Sequence, residues 1–347
     1  MNTLVIWGVA AFCLSVVLTV FVKQLAIKQG VVNLPGAARK KLHTQPVAQL
    51  GGLSIFLSFA TVVLIILLSS SLLTGGEITT QHYLGVIFGG LVLMIGGYLD
   101  DRYDLPPKFS IVAPIVAALL VVINGVGIEK LSNPFGDVIF LAAWQSHILV
   151  FGWLMVVMYT TKFLDGLDGL ATSVSSVGAL MIMLLSLTAA YYQPDVALLS
   201  AIVIGACAGF LFWNFHPASI FLGEGGSTLV GFLLGVLAVI SGGKLAIALL
   251  VLGIPLLDMV WIVLRRVMKG GITQAFRGDR KHLHHRLFDL GFSQKSIVFL
   301  YVFIASAFGV TALFLQSKEK LVALVILCVM MLFAALFFIH RERNAKT

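Results

Sequence analysis

The chain predicts an all-α polytopic membrane protein of about eleven transmembrane helices, and three observations predict it. Hydrophobic residues make up 59 % and charged residues 11 % of 347 positions, with a mean hydropathy of +1.04. Apolar runs of about 17 to 25 residues, long enough to cross a bilayer core, recur along the whole length. The 23 Lys and Arg residues divide 19 to 4 between alternate loops. The richer side is cytoplasmic by the positive-inside rule. The composition excludes a soluble domain. The pattern excludes a β-barrel, which would alternate over ~10-residue segments.

Spans are expected near 4–22, 51–73, 83–99, 109–124, 147–163, 170–190, 196–213, 227–241, 245–264, 296–316 and 321–339. Together they form one integral membrane domain over 1–347, with the N-terminus outside and the C-terminus cytoplasmic. No basic residue precedes the run Leu4 to Val22, so it reads as a retained span and not a signal peptide. Cys13, Cys207 and Cys328 lie inside apolar runs without CxxC spacing and read as packing residues. The outer segment 125–147 is less apolar and reads as a short surface hairpin.

The cytoplasmic loops carry the chemistry. The first, 23–50, combines Arg39, Lys40, Lys41 and His43 with Pro46, Gly51 and Gly52, which suggests an ordered loop over a site. The third span ends in Asp100, Asp101 and Asp104. A helix C-terminus is already partly negative, so three acids there are unfavourable unless a cation joins them. Asp100 and Asp104 share a face, with Asp101 about 100° away. Pro106 and Pro107 stop the helix, and Lys108 restores a positive charge nearby.

The fifth span runs into Lys162-Phe163-Leu164-Asp165-Gly166-Leu167-Asp168-Gly169, in which two acids stand three apart among glycines that allow close backbone approach. The loop after the seventh span holds Asn214-Phe215-His216-Pro217 and then Gly223-Glu224-Gly225-Gly226. Helix-terminal N–H groups at such a turn suit a phosphate and its metal ion. Asp258 stands about two turns from Arg265 and Arg266, as a snorkelling partner or a substrate contact. The largest loop, 265–295, predicts a short helix with Asp279 as N-cap, Gly291 as stop, and a stripe of Leu283, Leu287 and Leu290 on the membrane. Its cations and His282, His284 and His285 would face the other way, better suited to phosphate than to zinc.

These motifs, in this order, resemble the polyprenyl-phosphate N-acetylhexosamine-1-phosphate transferases (MraY/WecA/TagO-like). The resemblance runs from Val32 to about Lys295, through Pro35, Arg39-Lys40, His43, Gly51-Gly52, Asp100-Asp101, Asp165-Gly166-Leu167-Asp168-Gly169, Asn214-Phe215-His216-Pro217, Gly223-Glu224 and His282-Leu283-His284-His285. The last motif is closer to the WecA/TagO branch. The resemblance implies transfer of a sugar 1-phosphate, GlcNAc-1-phosphate above others, from a UDP-sugar to undecaprenyl phosphate. UMP leaves, in the first membrane step of a cell-envelope glycan such as lipopolysaccharide or teichoic acid.

It further implies Mg²⁺, with Mn²⁺ as substitute, held by Asp100, Asp101 and Glu224. Catalytic roles fall to Asp100, Asp101, Asp168 and His284, and substrate contacts to Lys41, Lys108, Asp165, Asn214, His282, His285 and Arg286. Partners are the UDP-sugar, the polyprenyl phosphate and the bilayer of the cytoplasmic membrane, with no nucleic acid and a homodimer left open. Asn33, Lys162 and Glu224 depart from the family's usual Asp, Asn and Asp. A one-step attack is expected, with an aspartyl-phosphate route as the other option. The alternatives are the same transfer with another UDP-amino sugar or UDP-MurNAc-pentapeptide and, from a different class, a transporter.

Overall fold

The structure, a computed structural model, describes residues 2–34, 46–131, 133, 135–242, 244–270 and 282–344. Among the described residues fourteen α-helices follow one another: α1 (Asn2–Lys28), α2 (Gly51–Ser69), α3 (Thr80–Tyr103), α4 (Pro107–Ser110), α5 (Val112–Ile123), α6 (Ala143–Leu164) and α7 (Leu170–Ser186), then α8 (Pro194–Asn214), α9 (Gly223–Ile240), α10 (Leu245–Val251), α11 (Gly253–Gly270), α12 (Leu283–Asp289), α13 (Gln294–Phe314) and α14 (Ser317–Asn344). Eight of those described are long and apolar enough to cross a membrane. The α10–α11 pair, bent by 76°, is apolar enough for a ninth when the two are taken as one broken span. The expected fourth and sixth spans appear as shorter apolar helices, Pro107–Ile123 and Leu170–Ser186. The expected straight span 245–264 is broken at Leu252, and Pro255 sits in the first turn of α11, where its missing N–H costs nothing.

Burial separates centre from periphery. In α9, 89 % of the apolar window is inside the protein, against 22 % in α1 and 11 % in α14. A helix that is apolar all round and buried all round is a core element; α1 and α14 turn their apolar sides to the surroundings. The central helix is held by glycine. A Cβ on Gly97 of α3 would stand 2.1 Å from the Gly225 Cα, and one on Gly52 of α2 would stand 2.1 Å from the Gly226 Cα. Three helices therefore meet backbone to backbone at the start of α9, the small-residue packing that membrane helices use.

Two short antiparallel pairs complete the fold. β1 (Val32–Asn33) pairs with β2 (Val47–Ala48), and β3 (Lys130–Leu131) with β4 (Ile139–Phe140), the hairpin the sequence predicts. Ala48 also bridges Ile220, Phe221 N–H donates to the Ala48 carbonyl, and Gly51 N–H donates to that of Phe221. The segment before α2 is thereby stitched to the segment before α9.

Candidate active site

The acids converge at the end of the bundle where α3 and α6 finish and α9 begins. Asp104 does not join them: it is the exposed left-handed C-cap of α3 (φ 50°). Asp100 turns inward, its Oδ1 accepting from Leu105 N–H at 3.1 Å and its Oδ2 from the Ser110 hydroxyl. Both oxygens of Asp101 accept from Glu224 N–H at 3.2 Å. Asp101 thus caps the first turn of α9, a favourable place for a carboxylate facing a helix N-terminus. These hydrogen bonds to backbone and hydroxyl hold each carboxylate in one orientation.

Lys162, on the last turn of α6, projects into this group. Its Nζ lies 2.7 Å from Glu224 Oε2 and 3.9 Å from Asp100 Oδ2. It donates to Ser110 Oγ at 3.1 Å and lies 5.8 Å from the centre of the Tyr159 ring. Lys108, expected to counter the acids, is instead exposed with its ammonium 4.9 Å from the Phe109 ring centre. It sits just beyond the helix-stopping prolines, and the turn they impose carries it outward.

Asp165 and Asp168 lie in the loop joining α6 to α7. Loss of hydration, reinforced by the charges of Glu224, Asp101 and Asp168, pushes the Asp165 carboxyl up to about 8. Asp168 is a tie between loops: its Oδ2 holds His216 Nδ1 at 2.6 Å and Ala218 N–H at 3.1 Å. Asn214 is buried, and its amide donates to the Ile220 carbonyl at 3.0 Å, so it closes the turn after α8 from within.

The histidine segment lies against the same loop. A Cβ on Gly166 would come within 2.3 Å of His284 Nε2 and 3.0 Å of His285 Nε2, so only glycine fits beneath α12. His282 stacks on Phe163 (5.5 Å between centres) and on His284 (5.7 Å), and the His284 and His285 rings are 4.3 Å apart. His282 and His284 are buried, not turned away from the protein as the leucine stripe predicts. The reason is Asp258, whose Oδ2 holds His282 Nδ1 at 2.8 Å and whose Oδ1 accepts from Leu283 N–H at 3.1 Å. That carboxylate therefore serves α12, where the sequence suggested an arginine or a substrate. Arg286 lies half-buried in the last turn of α12, and Gly291 adopts the predicted left-handed stop (φ 95°). Lys41 and Asp279 fall outside the described residues.

The site thus gathers Asp100, Asp101, Asp165, Asp168 and Glu224 with His284 and His285 alongside. The sequence reading did not place His216 or Ser110 in it, weighed Asp258 as an arginine partner or a substrate contact, and named Lys162 only as a departure. His216 was visible within Asn214-Phe215-His216-Pro217; Ser110 carries no local signal, and the arginines near Asp258 in sequence pointed away from its histidine partner. Among the described residues, no three His, Cys, Asp or Glu side chains converge closely enough to hold a metal alone. Magnesium does not require that, since one or two carboxylates with phosphate oxygens and water suffice. Among the described residues, Asp100, Asp101 and Glu224 beside one ammonium, with Asp165 and Asp168 in the adjoining loop, fit a hard divalent cation.

Residues 83–242 match glycosyl transferase family 4, so by class the protein is a multi-pass membrane transferase. The chain is 30 % identical to the probable undecaprenyl-phosphate N-acetylglucosaminyl 1-phosphate transferase of Bacillus subtilis (strain 168), across 94 % of its own length and 89 % of the relative's. It is 30 % identical to the decaprenyl-phosphate N-acetylglucosaminephosphotransferase of Mycobacterium tuberculosis (strain ATCC 25618 / H37Rv), covering 92 % and 85 %. The value is 28 % for the undecaprenyl-phosphate alpha-N-acetylglucosaminyl 1-phosphate transferase of Yersinia pestis, covering 85 % and 80 %. The chain belongs to this family of polyprenyl-phosphate N-acetylglucosaminyl 1-phosphate transferases.

Proposed function

We propose that this protein transfers N-acetylglucosamine 1-phosphate from UDP-N-acetylglucosamine to a polyprenyl phosphate, releasing UMP, at the cytoplasmic face of the cytoplasmic membrane. One observation carries the reading: acids from the end of α3, the α6–α7 loop and the start of α9 converge beside an apolar cavity of about 390 Å³. Leu25, Leu53, Met94, Ile95 and Tyr98 line that cavity, and Asp101 stands in its wall. An isoprenoid chain with a phosphate head needs that pairing of greasy groove and charged end.

The lipid phosphate, with a second pKa near 6, is largely dianionic at neutral pH, so it needs little help from a base. Its oxygen attacks the phosphorus bonded to the sugar oxygen, a new P–O bond forms there, and the diphosphate P–O bond breaks with its electron pair leaving on UMP. Bound Mg²⁺, or Mn²⁺, supplies charge neutralisation to the diphosphate. Asp100, Asp101 and Asp165 are suited to hold it. The oxygens of Asp100 and Asp101 are occupied by hydrogen bonds, which favours them as fixed ligands over a covalent nucleophile. His284 and His285 lie against the Asp165–Gly169 loop, where phosphate oxygens would approach, Arg286 follows them on α12, and Asp168 orients His216.

Eleven spans, with Pro107–Ile123 and Leu170–Ser186 crossing alongside the longer helices, would put every site loop on the basic face. Cysteine labelling should then find position 130 outside and position 281 inside. Purified protein with Mg²⁺, UDP-N-acetylglucosamine and undecaprenyl phosphate should release UMP, and added UMP should drive the reverse reaction. Solute flux into liposomes without UMP formation would mean a transporter.

A further inference from the structure

We propose that Lys162 is a built-in cation of this site: its ammonium binds the phosphate of the incoming nucleotide, and Glu224 is its counter-ion and not a ligand of the divalent ion. The inference rests on the reading that the site takes a nucleotide and a divalent cation. Geometry carries it. The Lys162 ammonium donates to Ser110 Oγ at 3.1 Å and forms ion pairs with Glu224 at 2.7 Å and Asp100 at 3.9 Å. It therefore stands among the carboxylates where a cation is needed most. Among the described residues it is the one Lys or Arg side chain within ion-pair distance of any of the five acids.

Exposure shows which partner a ligand would displace. The Lys162 side chain is 20 % exposed, Asp100 11 % and Glu224 42 %, so Glu224 covers the ammonium from the open side. An arriving phosphate can take its place by exchanging one anion for another. The longer arm of glutamate suits this, because it reaches Lys162 from the first turn of α9 and can swing away without moving the glycine-packed helix start.

The test uses substrate-free full-length protein in detergent. Mn²⁺ binding is followed by electron paramagnetic resonance, and UMP binding by calorimetry with chelator present. Wild type should bind UMP weakly without metal. Lys162→Asn should weaken that binding about 10- to 100-fold, the worth of one charge-assisted hydrogen bond, without weakening Mn²⁺. Lys162→Arg should keep it. Glu224→Gln should leave Mn²⁺ affinity within about twofold and UMP binding in chelator undiminished. Glu224→Gln also serves as the safeguard if Lys162→Asn misfolds. Loss of Mn²⁺ affinity by tenfold or more in Glu224→Gln would make Glu224 a metal ligand and overturn the inference. So would UMP binding in Lys162→Asn equal to wild type. Wild type that binds neither Mn²⁺ nor UMP under any condition would overturn the functional reading itself.

Discussion

The two ends of the helix bundle treat charge in opposite ways. Away from the site, Lys244 donates to Gln193 at 2.7 Å and to Ser186 at 3.2 Å, with the Tyr191 ring centre 5.7 Å away. Tyr83 donates to the Leu73 carbonyl at 2.6 Å, and Ile128 N–H to Ser146 at 2.8 Å. Each polar group there closes a local loop. At the site end the carboxylates are as firmly fixed, yet among the described residues the acids outnumber the cations paired with them. Burial pulls Lys244 down to about 8 against the attraction of Asp195, whereas burial and three neighbouring acids together push Asp165 up to about 8. Both groups are driven toward neutrality, but only the second would be relieved by a cation. Fixed orientation with uncompensated charge distinguishes a working site from a polar staple.

The largest expected effect tests that contrast at its centre. Asp101→Asn keeps a cap on α9 but removes a charge, and should lower the rate of UMP release about 10²- to 10³-fold while the protein still purifies as a folded species. A change of 10-fold or less would leave Asp101 as a helix cap only.

Next comes the glycine seam. Gly97→Ala would force a methyl to 2.1 Å from the Gly225 backbone, where no flexible side chain can give way. It should cost at least about 1–3 kcal/mol, read as a lower melting temperature in detergent, with activity falling as α3 moves off α9. An unchanged melting temperature would show that the two helices are not packed this closely.

A smaller effect reports on Asp165 directly. Its folded pKa of about 8 lies above the usual carboxylate value of 3.8. Folded protein therefore binds more protons than unfolded protein between those values, and metal-free stability should fall as pH rises from about 4 to about 8. Asp165→Asn should flatten that slope and be the more stable protein above pH 8. Added Mg²⁺ should stabilise wild type more than the variant, which keeps only Asp100 and Asp101 to hold it. A wild-type slope of opposite sign in thermal melts would remove the crowding argument.

Smallest is the control at the far end. Lys244→Met breaks two hydrogen bonds and should cost about 1–2 kcal/mol, with turnover per folded molecule unaltered. A selective loss of turnover would mean that the far end, too, takes part in function.

How much was legible follows the range of the physics. Hydropathy is a property of consecutive residues, so the helices, the α3 stop at Pro106 and Pro107, the 130–140 hairpin and the Gly291 stop could all be read directly. The clustering of site loops at one end was legible as well, because alternating crossings return alternate loops to the same side. Two spans fell short of the expected length, and one bent, because helix ends and breaks depend on what packs around them.

Side-chain partnership was not legible. Lys108 is near the acids in sequence and turns away, while Lys162, 62 positions from Asp100, comes within reach of it. Asp101 finds its partner 123 residues on, and Asp258 finds His282 24 residues on, across a loop. The sequence by itself determined a helical multi-pass membrane protein with acids, glycines and histidines between its apolar runs, because charge and apolar length act locally. Which carboxylate meets the ammonium, which caps α9 and which anchors α12 was decided only by tertiary structure, since hydrogen bonds and ion pairs act over a few ångströms that the chain path alone does not specify.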